Sequence, residues 1–209
     1  MKARKILVSL AALALVAAIS IGGTLAYLTS KADVTNTFTV GKVAITMDET
    51  AVNTDGTALA NTPRRTTNTY HLLPGKTYTK DPQIHVTAGS EDCYLFVTIK
   101  NDIAAIEDAD NSVEKQMTAK GWAKVTGVTG VENLYVYIGI EESASAPKTV
   151  AAGADVTVFE KIVIKGDVTN TGLESYAGKT ITVNAYAIQA EGFSGKTAAQ
   201  IWAATGFTA

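Results

Sequence analysis

Cysteine occurs once, at Cys93, so the chain closes no internal disulfide and its core must hold the fold unaided. Two readings of that thiol stand: a small buried side chain on a strand, or a reactive or intermolecularly paired group. Histidine occurs twice, at His71 and His85, and neither belongs to the His-Glu-x-x-His spacing that sets two imidazoles on one zinc ion. On neighbouring predicted strands they are free either to meet and recruit Asp81 or Asp92, or to be two surface histidines. There is no Gly-x-Ser-x-Gly elbow, no phosphate-binding glycine-rich loop and no Cys-x-x-Cys pair. The expectation is therefore a protein that is not an enzyme, with no catalytic residues, cofactor or metal. The clustered excess of Lys and Arg that phosphate binding needs does not appear: 18 Lys and Arg face 20 Asp and Glu, for a formal net charge of -2. That balance offers nothing to a nucleic-acid backbone, so no nucleic acid is expected as a partner.

One run lacks charge altogether, from Ile6 to Leu28, and it follows the basic residues Lys2, Arg4 and Lys5. This is the layout of a secretory signal, a charged start and then an apolar stretch. Gly22 and Gly23 interrupt the helix, and Thr24 and Ala26 are small residues at the -3 and -1 positions of a cleavage site. Cleavage after Ala26 makes Tyr27 the first mature residue; the alternative is an uncleaved anchor, since such a run also spans a bilayer. The expected segmentation is a signal helix over 1–26, a mature N-terminal segment over 27–40 and one domain over 41–209. Contact with a membrane is expected through the signal segment alone, before cleavage. About 180 mature residues are enough for a single domain with a sizeable core.

Within that domain the apolar residues alternate. Phe38 and Val40 share one face; Val43, Ile45 and Met47 share another after a change of phase that a bulge near Gly41 and Lys42 would absorb. Cys93, Leu95, Val97 and Ile99 alternate with Tyr94, Phe96 and Thr98, which predicts a central strand with apolar residues on both faces. Leu134, Val136, Ile138 and Ile140 repeat the pattern against Tyr135 and Tyr137. So do Val156 and Val158, Ile162 and Ile164, and Ile181, Val183, Ala185 and Ala187. Short alternating strands between turn residues predict an all-β fold, a jelly-roll-like antiparallel β-sandwich. Two short helices, within Ile103 to Lys120 and Thr197 to Ala204, are expected at its periphery. Asp48 to Thr69, rich in Thr, Asn, Asp and Ala, reads as a long mobile loop. The acidic run Glu107, Asp108, Asp110, Asn111 and Glu114 reads as a calcium-loop look-alike without its turn glycine, or as the wet face of a helix. Tyr94, Phe96, Tyr135 and Tyr137 read as a second buried layer or as a surface for a partner.

The junction Gly-Gly-Thr-Leu-Ala-Tyr-Leu-Thr from Gly22 to Thr29, with Asn-Thr-Phe-Thr-Val-Gly from Asn36, resembles the TasA and camelysin family. The stretch Leu73 to Pro82 is similar to that family's Pro-Gly turn and Lys-Asp strand start. Tyr-Ala-Ile-Gln-Ala-Glu-Gly-Phe from Tyr186, then Thr-Ala-Ala-Gln-Ile-Trp from Thr197, resembles its final strand and closing helix. The resemblance implies export through a signal peptidase of the SipW type, a jelly-roll sandwich and a place in a biofilm matrix or on the cell surface. It also implies self-association into filaments, in which one subunit's mature N-terminus completes the next subunit's sheet. Leu28, Val34, Phe38 and Val40 are the apolar residues that such a donor strand would insert; the other reading is an ordinary edge strand of their own domain. Three functions follow: a fibre- or pilus-forming structural subunit, a surface binding and adhesion module, and, with no recognisable peptidase site to support it, a camelysin-type metallopeptidase.

Overall fold

A computed structural model describes residues 41–140 and 146–207. The expected signal helix, the cleavage site at Ala26 and Tyr27, and the donor residues Leu28, Val34, Phe38 and Val40 lie outside the described residues. Ten strands are described: β1 (Ile45–Asp48), β2 (Thr77–Thr79), β3 (Gln83–Val86), β4 (Cys93–Asn101), β5 (Trp122–Lys124), β6 (Leu134–Tyr137), β7 (Thr149–Val150), β8 (Asp155–Thr157), β9 (Lys161–Val163) and β10 (Ile181–Gln189). Between them lie three short helices, α1 (Val113–Ala119), α2 (Asn170–Glu174) and α3 (Ala198–Ala203), and one 3-10 turn at Ala104–Ile106. The described strand pairs are all antiparallel, so the all-β expectation holds. None of the described helices is long and apolar enough to cross a membrane.

β4 organises the molecule because it is apolar on both faces, and every residue from Cys93 to Ile99 is buried. It pairs with β10 along nine residues and with β6 and β7 on its other side, in a sheet ordered β10-β4-β6-β5. A second sheet runs β1-β3-β8, and β2 pairs with β9. One face of β4 (Cys93, Leu95, Val97 and Ile99) meets Ile84, Val86 and Val156 of the second sheet, forming a core between sheets. Its other face, Tyr94 and Phe96, packs with Leu134, Val136 and Ile188 under Ile201 and Trp202 of α3. A smaller cluster gathers Tyr78, Ile103, Ile106, Ile162, Ile164 and Leu173. Cys93 is fully buried, and that burial, with Asp92 nearby, pushes its thiol up to about 11. The plain reading of the residue is thereby favoured, because a buried, protonated thiol is a poor nucleophile.

Four expectations need correction. The aromatic quartet is not one layer: Phe96 pairs across the sheet with Val136 and Val97 with Tyr135, so Tyr94 and Phe96 lie on one face and Tyr135 and Tyr137 on the other. β6 stops at Tyr137 rather than running to Ile140, since Gly139 takes φ +87 and Ile140 is left 69% exposed. Glu107 is not on a wet face; it is buried, accepts hydrogen bonds from Asn101 Nδ2 and the Val113 N–H, and so ties β4 to α1. The segment from Asp48 to Thr69 is not a free loop. Bridges join Glu49 to Arg65 and Val52 to Ala58, and Ala51 and Val52 are buried. Gly56, at φ +81, passes so close to β2 that a Cβ there would lie 2.7 Å from the Tyr78 Cα, a position only glycine can hold.

Two of the helices follow from caps. Ser112 accepts the Lys115 N–H at the start of α1, and Thr197 with Gln200 forms a reciprocal capping box at the start of α3. The helix α2, capped by Thr169, was not expected; at five residues with Gly172 inside it, it shows no apolar period.

Candidate functional site

Among the described residues, both larger sheets end at an uncovered strand on the same side of the domain. β10 and β1 are outer strands of their sheets, they approach each other, and among the described residues no strand pairs with their outer edges. β10 spans nine residues, Ile-Thr-Val-Asn-Ala-Tyr-Ala-Ile-Gln, without charge or proline. It thus carries neither of the usual features that stop an edge from accepting another strand. Its inward residues Ile181, Val183, Ala185 and Ala187 are half-buried, whereas Ile99, Val97 and Leu95, the β4 partners of the last three, are buried. Val43, Ile45 and Met47 are half-buried in the same way on the β1 side, against the same core. At one end this margin opens into a cavity of about 930 Å³ lined by Met47, Tyr70, Leu72, Leu173, Ile181 and Val183, among others.

Polar side chains fasten the rim. Arg64 reaches from the Asp48 to Thr69 segment onto β1, donating through Nε to Asp48 and through Nη1 to Asp81 Oδ2 at 3.0 Å and through Nη2 to the Asp81 carbonyl at 2.9 Å. Burial acts to raise the Asp48 carboxyl, but Arg64 and His85 outweigh it and hold the group below its ordinary value. His85, on β3, sits between carboxylates of both neighbouring strands: Nε2 lies 3.1 Å from Asp48 of β1 and Nδ1 2.6 Å from Asp155 of β8. Of the two readings, the meeting of the histidines with Asp81 or Asp92 is not the one found: no hydrogen bond joins the two histidines, and the partners of His85 are Asp48 and Asp155. His71 is exposed, its backbone N–H donating to the Thr54 carbonyl at 2.7 Å. Because the two nitrogens of His85 face different carboxylates, the three groups do not converge on one point. Among the described residues no group of three or more His, Cys, Asp and Glu side chains is placed to hold a metal ion.

The hydrogen bond to Asp48 raises the His85 pKa, burial opposes the rise, and Asp155 adds to it. A raised folded-state value means that the contribution to stability is complete below the ordinary value of 6.5 and disappears as pH climbs through the folded value. Unfolding free energy is therefore expected to fall as pH rises from below 6.5, and His85→Gln is expected to flatten that slope. The effect stays under about 1 kcal/mol because the partners are partly exposed. Asp48 titrates in a separate window, its contribution being lost only as pH falls through its lowered value. Urea titrations at a series of pH values check this, and an unchanged slope in His85→Gln would refute it.

Beneath the rim lies a buried group of different chemistry. The Glu49 carboxylate is 4% exposed as a residue and accepts from two donors, Lys80 Nζ at 2.6 Å on Oε2 and Asn68 Nδ2 at 3.0 Å on Oε1. Asn68 Nδ2 also donates to the Thr50 carbonyl at 2.8 Å, and Asn68 Oδ1 accepts the Val52 N–H at 3.1 Å. The Tyr70 ring stands 6.0 Å from Lys80 Nζ, and burial, with Glu49 and Asp81 nearby, raises the Tyr70 pKa so that its hydroxyl stays protonated. Nothing in hydrophobic periodicity marks these three residues, since Asn68 and Lys80 reach Glu49 from 19 and 31 residues away.

Comparison of the chain with protein-family models, with curated proteins and with solved structures finds no match.

Proposed function

We propose that this chain is an exported structural subunit of a fibre at the cell surface or in an extracellular matrix, with its sheets arranged as a jelly-roll-like sandwich. The signal segment is removed after Ala26 by a SipW-type signal peptidase, and residues 27–40 of one copy add to the open β10 edge of the next. The observation that carries this reading is the edge itself: nine uncharged residues, unpaired among the described residues, beside a stripe of half-buried apolar side chains. A strand laid there pairs its main chain with β10 and turns alternate side chains inward. In residues 27–40 the sequence supplies Leu28, Val34, Phe38 and Val40 for that role. The resemblance to the TasA and camelysin family supports the same assignment.

The test compares the chain beginning at Tyr27 with one beginning at Gly41, by negative-stain microscopy and light scattering. Filaments from the longer chain alone are expected. Monomers from both would overturn the fibre reading in favour of a surface binding module, for which the cavity of about 930 Å³ is the site. The camelysin-type peptidase has the least support, since both His85 nitrogens are committed to carboxylates on different strands.

A further inference from the structure

We propose that Lys80 and Asn68 become joined side chain to side chain by an amide bond, made by the protein itself with Glu49 as the proton carrier. The inference is independent of whether the protein forms fibres. It rests on three groups whose chemistries are complementary and which one carboxylate holds side by side: an amine on Oε2 and a carboxamide on Oε1. A plain buried ion pair needs no such third member. The orientation of the carboxamide is also fixed, because its N–H₂ faces two acceptors, Glu49 and the Thr50 carbonyl, while its carbonyl oxygen faces a backbone donor. Reversing the amide would break all three contacts.

The steps balance without any added reagent. Glu49 takes a proton from the Lys80 ammonium, leaving a neutral amine whose lone pair attacks the Asn68 Cγ. The electron pair displaced onto Oδ1 is met by the Val52 N–H, which acts as a one-donor oxyanion site. Glu49 returns its proton to Nδ2 and takes one from Nζ; the bond between Cγ and Nδ2 then breaks with its electron pair, and ammonia leaves. Ammonia takes the proton from Glu49 and departs as ammonium, so the carboxylate is regenerated. Holding amine and carboxamide together inside the fold replaces an encounter in solution, the effect that makes intramolecular acyl transfer fast. Enclosure matters as well. The Glu49 side chain is 5% exposed and that of Lys80 11%, so water competes poorly as the nucleophile and the proton exchanges occur where charge is least screened. The product would fasten Asn68, in the excursion that follows β1, to the link between β2 and β3.

The test uses the purified full chain. Its intact mass is expected to be lower than the sequence mass, after allowance for its mapped N-terminus, by one ammonia. Trypsin does not cleave after an acylated lysine, so the digest is expected to contain a branched peptide in which residues 66–76 are joined to residues 77–100. Glu49→Gln and Asn68→Ala are each expected to restore the full mass and the cut after Lys80, with near-native circular dichroism. If either variant fails to fold, the folded wild-type chain still decides the matter. A wild-type mass equal to the sequence mass, with free 66–76 peptide and cleavage after Lys80, would overturn the proposal.

Discussion

Trp202→Ala is expected to lower the unfolding free energy of the domain by about 3 to 5 kcal/mol, the range for emptying a large buried aromatic site. Trp202 is 3% exposed and lies between Phe96, at a ring-centroid distance of 5.5 Å, and Tyr186, at 5.0 Å. The helix that carries it has six residues, too few to persist through its own hydrogen bonds. Ile201 and Trp202 are the two side chains by which it is held. Loss of the indole therefore does more than leave a cavity: it loosens the helix and uncovers Tyr94, Phe96, Leu134 and Val136 on the outer face of the main sheet. Urea unfolding reads the loss, and binding of a hydrophobic dye reads the uncovered face. Ala203→Ser, exposed on the same helix, is the control and should change stability by less than about 0.5 kcal/mol. A loss below about 1 kcal/mol in Trp202→Ala would mean that the helix does not close the core.

Val183→Lys has its largest expected effect on assembly rather than on folding. Val183 points into the open margin beside β10, half-buried, with room for a long side chain to carry its charge outward. The monomer should lose no more than about 1 kcal/mol. An inward-pointing charge on an edge strand is, however, a standard obstacle to strand addition. The concentration needed for filaments should rise at least tenfold, which corresponds to about 1.4 kcal/mol of lost subunit affinity. Thr182→Lys, on the exposed face of the same strand, should leave that threshold nearly unchanged. Light scattering over a dilution series distinguishes the two. Equal behaviour of both variants would place the interface away from the β10 edge.

Where local pattern and burial coincide, the fold was legible in the sequence. β4 is the clearest case: two interleaved apolar sets predict a strand covered on both faces, and both cores form on it. The last helix, expected within Thr197 to Ala204, forms over Ala198–Ala203. What escaped depended on register or on distant polar partners. Nothing local to β6 says that Tyr135 will stand beside Val97 and not beside Phe96. His85 takes its carboxylates from positions 37 and 70 residues away. The segment from Asp48 to Thr69 has the composition of a loop because its fastenings are polar: Arg64 on Asp48 and Asp81, and Asn68 on Glu49. Apolar periodicity is blind to such contacts, so order there was read as mobility. The β10 edge, unpaired among the described residues, was equally invisible, since a strand's period is the same at the edge of a sheet as at its centre.

The pairing of β4 with β10 also fixes when the protein can fold. β4 leaves the ribosome after only β1, β2 and β3, and β10 after every other described strand, so the longest ladder among the described residues joins positions 80 to 96 residues apart. Until β10 and the helix after it have emerged, β4 has at most the short strands β6 and β7 beside it, and its outer face, Tyr94 and Phe96, lacks the cover of Ile201 and Trp202. Such wiring delays completion of the cooperative fold to the last part of synthesis and slows it, because a loop of 80 residues or more must close before the contacts that reward it form. The main sheet of a chain arranged this way is complete only when its last strand has been made.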